Sequence, residues 1–244
     1  MNENRFNTLF PVKKPIIGMI HLAGKTHDEK VNRALEELAI FDEEGLDGAI
    51  IEDYHGDMLD VYETLRQSSE LELYLKRGVN VLRDPYYSFN LGKAFGVSFV
   101  QFDSVQSNQL DVYRYKKLKE EYADIVVLGG VRFKYTQGTG RNLMQDIDEG
   151  KEYADAIVTT GSGTGIETPI LKLKEFKYYM NEFPLIVGAG VNIKNVKAQL
   201  KIADGAIIGS YFKPDKNTKM KVEREKVKSL MDVVKGIREV KRFL

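Results

Sequence analysis

The sequence predicts a single closed (β/α)8 barrel, a TIM-type α/β fold, and three observations lead there. The chain has 244 residues, which suits one barrel of about 250 residues better than two small domains. Short apolar runs alternate with amphipathic segments eight times along it. Two successive runs near the end pass straight into glycine, Leu185–Val187 into Gly188 and Gly190, and Ala206–Ile208 into Gly209 and Ser210. Such paired turns on the last strands are how barrels hold a phosphate. A doubly wound open sheet competes, but eight regular units in this length favour closure.

Taken in order, Met1–Lys14 is a polar lead with Phe6, Leu9 and Phe10 as its apolar contribution, expected to cross one end of the domain. Pro15–Leu22 is the first strand, apolar on both faces as a parallel strand should be. Val31, Leu35, Leu38 and Phe41 then keep helical spacing, ending near Gly45. Gly48–Glu52 is the second strand, Met58–Lys76 a helix, and Val79–Leu82 the third strand. A short helix over Phe89–Phe95 precedes the fourth strand, Phe99–Phe102. Lys116–Tyr122 closes a helix before the fifth, Ile125–Leu128. Leu143–Tyr153 precedes the sixth, Ala156–Thr159, and Ile170–Phe183 the seventh, Leu185–Val187. Ile193, Val196, Leu200 and Ile202 form a helical pattern before the eighth strand, Ala206–Ile208, and Glu223–Val240 is the closing helix. An Asp recurs just before a β-branched run at Asp47, Asp124, Asp155 and Asp204; these belong at the N-terminal face, where stability is handled.

Lys+Arg and Asp+Glu both total 36, so the balanced charge predicts no nucleic-acid partner and no stable membrane association. There is no cysteine, hence no thiol nucleophile or thiolate metal site. No apolar run reads as a signal peptide or a membrane span, and a cytoplasmic protein is expected. His21, His27 and His55 have no helical ligand spacing. No cofactor is therefore expected, with magnesium on Glu52, Asp53 and Asp57 as the alternative. Apolar residues beyond one helical stripe, at Tyr74, Tyr178, Tyr179 and Met180, predict a homo-oligomer.

In a barrel, chemistry sits where strands end. Those ends supply His21, Glu52 with Asp53, Arg83 with Asp84, Gln101 with Asp103, Arg132 with Lys134, and Thr159 through Thr164. Glu52 closes an apolar strand with no adjacent cation, so it is the first candidate for acid/base work, a salt bridge to Arg83 being its structural alternative. Asp103 and Lys134 are the next catalytic candidates. Arg132 and Lys134 stand two apart, which on an extended chain aims both the same way. His21 donates to a phosphate, acts as a base, or is a hydrogen-bonded core residue. Thr160 and Gly163 belong to a Gly/Ser/Thr loop that could cradle a ligand, Arg83 is a further ligand contact, and Gly188, Gly190, Asn192, Gly209 and Ser210 are the phosphate candidates, their alternative role being tight turns. Tyr86, Tyr87 and Phe89 either wall the site or cover the rim.

The runs Lys14–Leu22, Asp47–Asp53 with Gly56-Asp57, and Gly78–Arg83 resemble the first three strands of the BtpA/SgcQ family. Asp155–Thr159 with Thr164-Gly165, Val187–Asn192 and Ala203–Ser210 are similar to its second half. The resemblance runs from Lys14 to about Val233. It implies a barrel akin to the ribulose-phosphate-binding barrels. Members include a cyanobacterial factor for photosystem I accumulation, peripheral to the thylakoid membrane, and proteins designated nucleosidases among sugar-uptake genes. This chain departs from the family at Gln101 and Asp103, where Arg and Asn are usual, and at Phe133-Lys134-Tyr135, where Val-Lys-His is usual. Strand ends and resemblance together predict a barrel that binds a small phosphorylated ligand, a sugar phosphate or a nucleoside or nucleotide. As a lyase, isomerase or nucleosidase-type hydrolase it would use Glu52 and Asp103 for acid/base chemistry and Lys134 for charge. A non-catalytic assembly or regulatory factor is the other class.

Overall fold

Strands of a parallel barrel lie under helices outside and against one another inside, so both faces are apolar. The computed structural model describes residues 4–239. Its strands are β1 (Ile16–Ile20), β2 (Gly48–Glu52), β3 (Lys76–Asn80), β4 (Phe99–Phe102), β5 (Val126–Gly130), β6 (Ala156–Thr160), β7 (Leu185–Gly188) and β8 (Gly205–Ile208). They pair in parallel, in chain order, and close where Ile16, Ile17 and Gly18 meet Ala206, Ile207 and Ile208. The helices are α1 (Arg5–Leu9), α2 (His27–Glu43), α3 (Met58–Ser68), α4 (Tyr87–Ala94), α5 (Val112–Glu121), α6 (Leu143–Tyr153), α7 (Ile170–Met180), α8 (Val196–Leu200) and α9 (Arg224–Glu239). The remainder of the expected closing helix, Val240, and Met1–Glu3 of the lead lie outside the described residues.

The period of two sorts each strand. Ile17, Met19, Ile50, Phe99, Val158 and Ile207 fill the barrel interior, whereas Ile16, Ile20, Ile51, Val100, Ile157 and Ile208 pack toward the helices. The lead segment does cross one end: α1, capped by the Asn4 side chain, buries Phe6, and Phe10 beyond it sets its ring 5.6 Å from that of Phe99.

Three of the four recurrent Asp residues do one job. Asp47 accepts from Ile16 N at 2.7 Å, Asp155 from Val127 N at 2.8 Å and Asp204 from Leu185 N at 2.9 Å. Each satisfies an amide in the first two residues of the preceding strand, Ile16 and Leu185 being first in theirs and Val127 second in β5. Asp124 instead stands largely exposed beside Lys93.

Several boundaries differ from the sequence reading. α3 stops at Ser68 rather than Lys76, because the Ser68 and Ser69 hydroxyls turn back to Leu65 O and Arg66 O. Lys76 pairs with Gly48 and so begins β3, three residues earlier than expected. α7 ends at Met180 because Asn181 takes φ 52°. After β8 come two 3-10 turns, Ser210–Phe212 and Pro214–Lys216, before α9 begins. Of the aromatic cluster expected at the surface, Tyr74 and Tyr178 are exposed, but Met180 is buried beneath α7. Among the described residues no helix is long and apolar enough to cross a membrane.

Candidate functional site

The interior phase of each strand, carried one step past its last apolar residue, brings polar groups to the C-terminal mouth. Ile50 is followed in phase by Glu52, Gly78 by Asn80, Phe99 by Gln101 and Met19 by His21. All but Asn80 line a cleft of about 530 Å³, open mouth included. Its lining includes His21, Glu52, Gln101 and Lys134, the apolar walls Met19, Phe133, Val158 and Ile207, and the chain at Gly188–Val191 and Ile208–Ser210.

On the β2–β4 side the polar groups form one array. Glu52 and Asn80 are register partners, and Asn80 Nδ2 donates to Glu52 Oε1 at 3.0 Å and to Asp103 Oδ1 at 3.1 Å. Gln101 Nε2 donates to the same Asp103 oxygen at 3.0 Å. Burial, and then the charge of Asp103, push the Glu52 carboxyl up to about 8, against the opposing pull of Lys134 and Asn80. Glu52 therefore holds its proton at neutral pH inside the cleft, while Asp103 stands behind, outside the lining.

On the β7–β8 side the lining is mostly main chain. Ala189 and Gly190 both take left-handed φ, 65° and 69°. Gly190 is required by space as well as conformation, since a Cβ there would lie 2.3 Å from Glu167 N. A Cβ on Gly209 would lie 2.7 Å from His21 Cε1, so the glycine lets the β8 turn close onto the imidazole. His21 is buried with Nδ1 unpartnered, and burial, then Lys213, hold it well below the usual histidine range. Lys213 is itself buried, 3.3 Å from Glu37, which also takes Arg33 at 3.0 Å.

The structure thus brings His21, Glu52, Lys134, Gly188, Gly190, Gly209 and Ser210 to one cleft. It places the other candidates elsewhere. Thr160 is buried beside the cleft, accepting from Lys134 N at 2.6 Å and so fixing that loop. Gly163 lies under the Tyr135 hydroxyl. Asn192 spends its side chain on a turn, donating to Gly190 O at 3.0 Å and accepting from Lys194 N at 2.9 Å. Arg83 is exposed outside the cleft, not paired with Glu52, because Asp53 takes Leu82 N at 2.7 Å and turns the chain outward past β3. Phe89 is core, and Tyr86 accepts from Asp111 N at 2.6 Å outside the lining.

Arg132 and Lys134 do not share a face. Arg132 has φ 47°, which breaks the extended chain, and its guanidinium reaches Asp146 at 2.8 Å. Lys134 lines the cleft with Nζ 4.1 Å from the Phe133 ring centre, and no ion pair joins it to Asp103 among the described residues. Lys172 secures both loops from below, donating to Arg132 O at 2.8 Å and Thr160 O at 2.7 Å.

Asn80 was not among the sequence candidates, although its phase with Gly78 would have revealed it. Tyr54 and Tyr135 were missed too, and both meet Thr164, the last of the polar run expected after β6: Thr164 N donates to Tyr135 Oη at 3.0 Å, and Tyr54 Oη lies 3.4 Å from Thr164 Oγ1. No sequence period announces that bridge, since it joins loops from three strands. Among the described residues no group of three His, Asp or Glu gathers to hold a metal.

The sequence profile of the BtpA family matches residues 12–236. An uncharacterised protein of Archaeoglobus fulgidus is 30% identical over 92% of this chain and 100% of its own length. The sgc region protein SgcQ of Escherichia coli is 27% identical over 66% of this chain and 65% of its own. Among solved structures, a phosphoribosyl anthranilate isomerase in complex with reduced 1-(o-carboxyphenylamino)-1-deoxyribulose 5-phosphate superposes with TM-score 0.63, at 14% identity, over 91% of this chain and 99% of that one. That likeness is one of fold.

Proposed function

The chain belongs to the BtpA family, and on that premise we propose that it is an enzyme acting on a small phosphorylated, sugar-like ligand held across the barrel mouth. The observation that carries this reading is the opposition within one cleft of a protonated, buried Glu52 and a main-chain wall at Gly188–Val191 and Gly209–Ser210. The wall offers backbone groups and the Ser210 hydroxyl to a phosphate, with Lys134 supplying the cation. Glu52 then delivers its proton to a ligand oxygen, the step that isomerases, lyases and glycosidic hydrolases share. Lys134 stabilises negative charge that develops there. Asp103 does not touch the ligand; through Asn80 and Gln101 it positions the array and keeps the Glu52 proton in place. The solved isomerase complex holds a ribulose 5-phosphate derivative on the same fold, which is in keeping with this reading.

The test is a ligand-stabilisation panel of inorganic phosphate, pentose and hexose phosphates, nucleosides and nucleotides. A phosphorylated sugar is expected to raise the melting temperature and to be turned over. Stabilisation by no phosphorylated compound would overturn the reading, and stabilisation without turnover of any of them would favour the non-catalytic class.

A further inference from the structure

The amide array has a polarity. Asp103 Oδ1 accepts from both Asn80 Nδ2 and Gln101 Nε2. A carboxylate offers no donor, so each amide must turn its NH2 toward Asp103. The reverse orientation would set the Gln101 oxygen against the Asp103 oxygen. The Gln101 carbonyl oxygen is therefore directed away from Asp103, and it is buried without a partner on a residue that is 1% exposed and lines the cleft. An unpaired buried acceptor destabilises the fold, and a ligand that donates to it recovers that loss. Neighbouring walls at Met19, Phe133, Val158 and Ile207 are apolar and compete for no donor.

Barrel topology gives this acceptor a direction relative to the phosphate wall. Strands run in chain order around the closed barrel, so β4, which carries Gln101, stands opposite β8, which leads into Gly209 and Ser210. A ligand whose phosphate lies at β7–β8 reaches Gln101 only with its other end, after passing Glu52 and Lys134.

We infer that Gln101 is a specificity-determining residue whose carbonyl oxygen accepts a hydrogen bond from a hydroxyl at the ligand terminus remote from phosphate. The ligand class is then a short open-chain sugar phosphate with a terminal hydroxyl, not a nucleotide. This inference rests on the anion-binding reading of the β7–β8 wall, and the experiment separates the two.

D-xylulose 5-phosphate and 1-deoxy-D-xylulose 5-phosphate differ only in that remote hydroxyl. Calorimetric titration of the native protein should give at least about tenfold tighter binding of the hydroxylated sugar. In Gln101→Met, which keeps length but loses the acceptor, the two should bind alike. Equal affinity of the native protein for both sugars would overturn the inference, as would unchanged discrimination in Gln101→Met or tighter binding of uridine 5′-monophosphate than of either sugar. The native comparison decides even if the variant does not fold. Inorganic phosphate is the separate control: if it competes with neither sugar while discrimination holds, the β7–β8 reading fails and Gln101 keeps its role.

Discussion

On the β2–β4 side of the mouth, polarity is carried by side chains: Glu52, Asn80, Gln101 and Asp103, joined by hydrogen bonds of 3.0–3.1 Å. On the β7–β8 side it is carried by main chain, at Gly188, Ala189, Gly190 and Gly209, with Ser210 as the polar side chain. A side-chain array can be edited atom by atom, because each group is an appendage on an intact strand. A main-chain wall cannot, because the atoms that would bind the ligand also hold the loops together. Only the first half contains a group whose proton titrates near neutrality, so the response to pH and the response to glycine substitution should separate cleanly between the halves.

The largest effect expected on the main-chain side is that of Gly190→Val. It puts a β-branched residue at φ 69° and a Cβ within 2.3 Å of Glu167 N. Left-handed strain and overpacking together should cost about 3 kcal/mol or more, lowering the melting temperature by about 6–12 °C for a domain of this size. A melting temperature within a degree of the parent would show that the β6 and β7 loops are not interlocked as described.

Next is Glu52→Gln, which keeps the acceptor for Asn80 but cannot deliver a proton. Turnover on any identified substrate should fall by about 10² or more, with binding little changed. The sign of the stability effect follows from proton count. The Glu52 carboxyl lies at about 8 in the fold against 4.5 ordinarily, so between those values the folded state binds the extra proton. Native stability should therefore decline as pH rises from about 4.5 to about 8, by at most about 1.4 kcal/mol per pH unit. It levels off above that window. Glu52→Gln removes this slope, so the two proteins should diverge in urea midpoint toward alkaline pH, the variant being the more stable. Parallel midpoints across the window would contradict a protonated Glu52.

Gly209→Ala is gentler, because the obstacle is an imidazole edge, His21 Cε1 at 2.7 Å, and not a main-chain atom. The fold should survive while affinity for a phosphorylated ligand drops about tenfold, as the alanine methyl displaces His21 and narrows the anion end. Retained affinity in a calorimetric titration would place the anion elsewhere.

The smallest effect belongs to Asp103→Asn. It preserves the acceptor for Asn80 and Gln101 but removes the charge that, after burial, raises the Glu52 carboxyl. The alkaline limb of the activity profile should move to lower pH with the maximum rate little altered. An unmoved limb would assign the Glu52 shift to burial alone.

Much of this was legible beforehand because a parallel barrel is a periodic object. Short apolar runs marked eight strands, and the glycines at the ends of β7 and β8 marked the turns that line the mouth. Glu52 stood out as a lone acid closing an apolar strand. The Asp residues at the helix-to-strand turns were recognisable as structural, and the strand-register amides they serve at Asp47, Asp155 and Asp204 follow from barrel closure. What sequence determines, then, is whatever depends on spacing along one strand.

Only the tertiary structure decided what depends on neighbours in different strands. Asp103 and Lys134 were both catalytic candidates; instead Asp103 is claimed by Asn80 from the strand beside it and by Gln101 on its own strand. Arg132 looked like a companion of Lys134, but a left-handed residue and a buried Asp146 turn it away. Arg83 follows a strand as Glu52 ends one, yet Asp53 redirects the chain and leaves it outside. In each case two positions compete for one partner, and the winner is set by register and loop path across the barrel, which no stretch of sequence contains by itself.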